Sequence, residues 1–237
     1  TAGYRPDIDG LRTISVVSVL CYHYGFGPFT GGFVGVDVFF VISGYLITSI
    51  IFREMQQGRF SLLGFYDRRV RRILPATLLT IIATAAAGYF VLLPSDYAAF
   101  GESAAYASFG VANFYFLWNT GGYFDSRADL MPLLHMWSLA VEEQFYFAWP
   151  ILLMAVFSLS CGSRYAIAGT LAAIVVISFS IAVWTVNVDR QLAFYMIQSR
   201  AWELAIGAAV AFLPAMSSRP AGEVLSIAGI GLISFGV

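Results

Sequence analysis

The chain has 237 residues, of which 59% are hydrophobic, 16% aromatic and only 11% charged, with a formal net charge of −1. A water-soluble fold of this length lacks the polar surface to cover so much apolar material, so a soluble globular domain is excluded and a bilayer is implied. The near-neutral charge also excludes a nucleic-acid partner, because neutralising phosphates takes a basic field.

A helix crossing the hydrocarbon core needs about 20 mostly apolar residues. The first such stretch, 11–29, carries Arg12 and His23. It follows Arg5, Asp7 and Asp9 and has no small-residue cleavage site, so it reads as a retained span rather than a signal peptide. The stretch 33–52 comes next, and 73–93 contains no charge at all. Then come 139–159 with Glu142 and Glu143 near one end, 166–186, the shorter 202–213, and 224–237, within which the sequence stops. The expected fold class is all-α, a polytopic transmembrane helix bundle with about six to seven spans. Residues 1–237 read as the amino-terminal part of a longer membrane domain. The segment 98–118, with Glu102 and Asn113 among Ala and Ser, stays open between a span, a re-entrant element and a surface segment.

All 13 basic residues are Arg, and six of them, at 53, 59, 68, 69, 71 and 72, lie between the second and third stretches. With Arg5 and Arg12 they predict a cytoplasmic amino terminus by the positive-inside rule. If 98–118 does not cross, Arg164 and Arg219 lie inside and Arg127, Arg190 and Arg200 outside; if it crosses, the sides swap. Cys21 and Cys161 then lie toward opposite faces, and no disulfide is expected between them.

The charged residues within or beside the spans are the candidates for chemistry. Arg12 and His23 are separated by about three helical turns, which returns them to one helix face roughly 16 Å apart. Such a pair either lines a protein cavity or divides into a snorkelling Arg12 and a His23 held by one interhelical bond; spacing alone does not choose. In the second stretch, Gly35 and Gly44 permit close helix approach. Asp37 is an acid near the outer end of the helix, and Ser43 and Tyr45 can donate hydrogen bonds. The run Arg68, Arg69, Arg71, Arg72 is topogenic, and planar guanidinium groups also suit a phosphorylated ligand. If the fourth helix includes His135, then His135, Ser138 and Glu142 share a face at i, i+3 and i+7, beside Trp137 and Glu143. This spacing is not a metal motif. Arg200 and Glu203 read as an ion pair.

These residues fall into ordered motifs: Tyr-Arg-Pro-Asp-Ile-Asp-Gly-Leu-Arg (4–12) with His23 beyond it, Gly-Val-Asp-Val-Phe-Phe-Val-Ile-Ser-Gly-Tyr-Leu (35–46), Phe-Tyr-Asp-Arg-Arg-Val-Arg-Arg-Ile-Leu-Pro (65–75), His-Met-Trp-Ser-Leu-Ala-Val-Glu-Glu-Gln-Phe-Tyr (135–146) and Ser-Arg-Ala-Trp-Glu-Leu (199–204). In this order, over nearly the whole chain, they resemble the acyltransferase 3 family, bacterial membrane O-acyltransferases that modify surface polysaccharide and peptidoglycan. The resemblance implies a domain of about ten spans, sometimes followed by an extracytoplasmic hydrolase-like domain. It implies an acyl-coenzyme A donor (chiefly acetyl-coenzyme A), no metal, a cell-envelope glycan acceptor, and a place in the bacterial inner membrane.

Residue by residue, the resemblance makes Arg12 and His23 the pair required for transfer, with Glu142 beside them among the catalytic candidates. Arg68, Arg69, Arg71 and Arg72 match the family's donor-binding arginine motif. Trp137, Ser138, Glu142 and Glu143 match its third signature, and Asp37, Ser43 and His135 are expected to bind substrate or support the site. A proton-coupled transporter is the alternative, since a His, an Asp and two Glu in spans also describe one; the repeated halves common in such carriers are not evident here.

Overall fold

The computed structural model describes residues 5–27, 30–121, 131–213 and 219–236, and the regular elements among them are all helical. Arg127, and the ends of the first and last predicted stretches, lie outside the described residues. The helices are α1 (Pro6–His23), α2 (Gly35–Gln56, entered through a 3-10 turn at Gly32–Val34), α3 (Leu62–Val91), α4 (Pro94–Ser108) and α5 (Ala112–Asn119). They continue with α6 (Met136–Leu159), α7 (Arg164–Val188), α8 (Arg190–Tyr195), α9 (Ile197–Val210) and α10 (Arg219–Gly236). Each predicted apolar stretch coincides with a helix. Four of these, Gly32–Gln56, Leu62–Val91, Met136–Leu159 and Arg164–Val188, are long and apolar enough to cross a membrane.

The chain divides into two compact units, Thr1–Ser49 with Glu203–Val237, and Ile50–Trp202. The first is built on glycines. A Cβ on Gly32 or Gly35 would overlap the Ser18 and Ser15 carbonyls of α1, and one on Gly44 would overlap the Leu204 carbonyl of α9. Gly207 of α9 meets the Val41 carbonyl in the same way. Small residues let backbones touch where lipid offers no hydrophobic drive for association, so dispersion contacts hold the helices together. The roles expected of Gly35 and Gly44 are thus found. Ser15 and Ser18, both buried, turn their hydroxyls back onto the Leu11 and Ile14 carbonyls and leave the contact surface apolar.

The helix boundaries differ from the expected ones at two places in the amino-terminal half. α1 ends at His23, well before residue 29, because Gly25 adopts φ +67 and the Gly25 and Phe26 amides close back onto Tyr22 and Cys21 in a Schellman cap. α3 starts at Leu62, capped by the Ser61 hydroxyl accepting from the Gly64 amide at 3.2 Å, so the arginine run lies on the helix and not in a preceding loop. Pro75 is inside α3.

In the second unit the ambiguous segment 98–118 is a helical hairpin. α4 stops at a Schellman cap in which Gly110, at φ +68, donates to Ala107 and Val111 donates to Tyr106. α5 then folds back, its Tyr115 hydroxyl donating to the Ala99 carbonyl at 2.9 Å and its ring lying against Tyr106. At 15 and 8 residues neither helix reaches across a ~30 Å hydrocarbon core.

α6 packs on the start of α3 and the end of α2. Tyr66 pairs with Phe147, Arg69 with Tyr146, and Phe52 near the carboxyl end of α2 packs on Phe157 near the carboxyl end of α6. The Phe52–Phe157 contact brings the carboxyl ends of α2 and α6 together. α9 returns along α7 through Ser178, whose hydroxyl donates to the Gln198 carbonyl and accepts from the Trp202 amide. Cys21 and Cys161 are free thiols.

Candidate functional site

Arg12 and His23 lie on α1, His23 as its last residue and exposed, its ring edge-on to Tyr22. Arg12 is half-buried: its Nε has no hydrogen-bond partner, and a terminal nitrogen is 3.9 Å from Asp9. On this face of the helix Asp9, Arg12, Thr13, Val16 and Val17 line an open cavity of about 370 Å³. The glycine-packed face bearing Ser15 and Ser18 is a different one. Asp37 sits in the first turn of α2, where a carboxylate meets the positive end of the helix dipole. Ser43 is buried one residue before the Gly44 contact.

α3 is 30 residues long, about 45 Å at 1.5 Å per residue, against a hydrocarbon core of ~30 Å. Its uncharged part, 73–91, is long enough to span by itself, and Arg68–Arg72 lie on the helical turns just before it. The four arginines are not equivalent. Arg68 donates to both carboxylate oxygens of Glu54 at 2.9 Å, and Arg71 pairs with Asp67 one turn back. Arg72 is exposed. Arg69 instead lies over two rings, its guanidinium carbon 5.6 Å from the Phe65 centroid and 5.2 Å from that of Tyr146.

The third motif opens α6. His135 is the N-cap residue with helical dihedral angles, and Ser138 donates to its carbonyl at 3.1 Å, so the predicted His135–Ser138–Glu142 face exists. Glu142 accepts from the Tyr146 hydroxyl at 2.9 Å. Glu143 approaches Gly110 so closely that a Cβ there would overlap its Oε2. Trp137 is buried against Phe194, at 4.5 Å between centroids, and Tyr195, with Arg200 over its ring. Arg200 also donates Nε to the Phe194 carbonyl.

Sequence reasoning missed a buried polar brace behind these residues. Gln144 donates to Asn113 Oδ1 at 2.8 Å, and Asn113 donates to the Tyr195 carbonyl at 3.1 Å, joining α6, α5 and α8. The Thr120 hydroxyl is 3.3 Å from that of Tyr195, and burial pushes the Tyr195 phenol up to about 12. Asn113 within the Ala-rich segment was the signal that pointed there. Among the described residues no cluster of three or more His, Cys, Asp or Glu is placed to hold a metal ion.

Comparison with known proteins agrees with the motifs. The acyltransferase 3 family model, described as an acyltransferase domain, matches residues 5–237. The peptidoglycan O-acetyltransferase OatA of Listeria monocytogenes is 34% identical over 98% of this chain and 39% of its own length. A putative O-acetyltransferase of Staphylococcus aureus is 38% identical over 89% of this chain and 35% of its own. A putative peptidoglycan O-acetyltransferase of Bacillus subtilis, YrhL, is 36% identical over 89% and 33%. The chain thus spans well under half the length of these relatives, and no solved structure matches it significantly. With the family's ordered motifs present and the match running over almost all its residues, the chain belongs to the acyltransferase 3 family.

Proposed function

We propose that this protein is a membrane O-acyltransferase that moves an acyl group, acetyl foremost, from acyl-coenzyme A to a hydroxyl of a cell-envelope glycan, with peptidoglycan the leading acceptor. The observation that carries this reading is the arginine-bearing start of α3, with exposed guanidinium groups on the same continuous helix as an uncharged stretch long enough to span. The printed names of the relatives support the acetyl group and the peptidoglycan acceptor. In this reading the amino terminus and the start of α3 face the cytoplasm of a bacterial inner membrane, where the donor is made.

Arg68, Arg71 and Arg72 bind the donor's phosphates, since a guanidinium offers planar paired donors to phosphate oxygens. His23 acts as general base: as the acceptor oxygen attacks the thioester carbonyl, the ring takes its proton. The tetrahedral intermediate collapses with cleavage of the carbon–sulfur bond, and the departing coenzyme A thiolate recovers that proton. Arg12 remains protonated throughout and serves to orient the donor and balance charge. Glu142 and Ser138 orient acceptor hydroxyls.

The test is transfer of labelled acetyl from acetyl-coenzyme A to glycan in membranes carrying wild type or His23→Ala. Loss of a base is worth about 10²–10⁴-fold. Wild-type rates from a fully inserted His23→Ala protein would remove His23 from the mechanism. A wild type that never uses acetyl-coenzyme A would remove the function.

A further inference from the structure

Within the arginine motif, Arg69 differs from its neighbours. Arg68 and Arg71 meet carboxylates and Arg72 is exposed, but Arg69 lies over the buried rings of Phe65 and Tyr146. Phe65 is one turn before Arg69 on α3, whereas Tyr146 is across the interface on α6. Both distances fall within the ~6 Å at which a cation is held by a ring face. Tyr146 is 8% exposed, and its hydroxyl donates to Glu142 Oε2 at 2.9 Å, one turn back on α6. An unbroken chain of contacts therefore runs from a residue of the arginine motif to the carboxylate of the third motif.

We propose that Arg69 and Tyr146 are positioning residues for Glu142: Tyr146 fixes the carboxylate through its hydroxyl, and Arg69 fixes the Tyr146 ring. The inference rests on the functional reading above and divides the arginine motif. Arg69 acts on the acceptor side of the reaction, and its neighbours act on the donor. A guanidinium spread over a ring replaces some of its water by the ring's negative face. The Tyr146 phenol that it covers is buried and donates to Glu142.

The experiment uses conservative variants of the full-length protein in membranes. Arg69→Lys keeps the charge but loses the plane that covers the rings, and Tyr146→Phe keeps the ring but loses the hydroxyl. Each is expected to lower kcat roughly tenfold or more while KM for acyl-coenzyme A changes by less than about twofold. The double variant should be no worse than the poorer single one, and Tyr146→Phe should have no further effect once Glu142 is Gln.

Arg69→Lys that raises the donor KM with kcat unchanged would make Arg69 a phosphate contact and overturn the proposal. So would wild-type kinetics for Tyr146→Phe. Should the wild type transfer no acyl group at all, the functional reading falls by itself. The contact is then read from a double-mutant cycle of thermal unfolding between Tyr146→Phe and Glu142→Gln: coupling supports the positioning chain, and strict additivity overturns it.

Discussion

The Gln144 amide donates to Asn113 Oδ1 at 2.8 Å, and Asn113, fully buried, passes the interaction on to the Tyr195 carbonyl. Removing one member leaves a buried partner without its hydrogen bond. Asn113→Leu is expected to destabilise the protein by about 1–3 kcal/mol, visible as a lower unfolding temperature in detergent. Adding Gln144→Leu should cost much less than its own single-variant effect, since the stranded partner is removed with it.

Gly110 carries two constraints at once, a left-handed backbone and the Glu143 carboxylate against its α-carbon. Gly110→Ala is expected to cost about 1–2 kcal/mol for the backbone alone. It also pushes Glu143 off its place at the opening turns of α6. Acyl transfer should therefore fall further than stability predicts, and comparing activity per folded molecule with thermal unfolding separates the two. A variant that loses stability but keeps full specific activity would leave Glu143 without a role in the site.

Hydropathy was enough to find the core of α3, because 73–91 is uncharged, and to find α6 and α7. It placed the start of α3 too late, since arginines count against a span even where they lie on the same capped helix. The 98–118 hairpin was ambiguous for a different reason: its break needs Gly110 in a cap, and an isolated glycine among alanines is weak punctuation. The Arg12–His23 face and the His135–Ser138–Glu142 face were legible because helical periodicity fixes them locally. Arg69 on Tyr146 and Asn113 on Tyr195 join residues distant in sequence, and no local pattern specifies which helices meet.

The Arg5–Asp7 pair predicts a weak pH dependence. The hydrogen bond from Arg5, foremost, holds the Asp7 carboxyl below its usual 3.8. A carboxyl depressed in the folded state contributes its full stability above the unfolded value, and that contribution fades as the pH falls through the lowered folded value. Both side chains are more than half exposed, so the contribution is under ~1 kcal/mol. Asp7→Asn should leave the unfolding temperature at neutral pH nearly unchanged and flatten its decline below about pH 4. Arg5 also donates to the Tyr45 hydroxyl at 3.2 Å, so Arg5→Ala should cost somewhat more than Asp7→Asn.

Glu54 competes for the residue expected to hold the donor. It accepts from Arg68 through both oxygens, at 26% side-chain exposure against 53% for the arginine. A phosphate arriving at Arg68 must displace this carboxylate or share the guanidinium with it, and a second negative charge nearby opposes its approach. Glu54→Gln is therefore expected to lower the KM for acyl-coenzyme A, by up to about fivefold for an interaction worth under ~1 kcal/mol. Arg68→Ala should raise it. The gain should shrink as salt is added, because the Debye length falls to about 8 Å at physiological ionic strength. A Glu54→Gln variant whose donor KM rises instead would mean that the carboxylate orients Arg68 for the phosphate rather than competing with it.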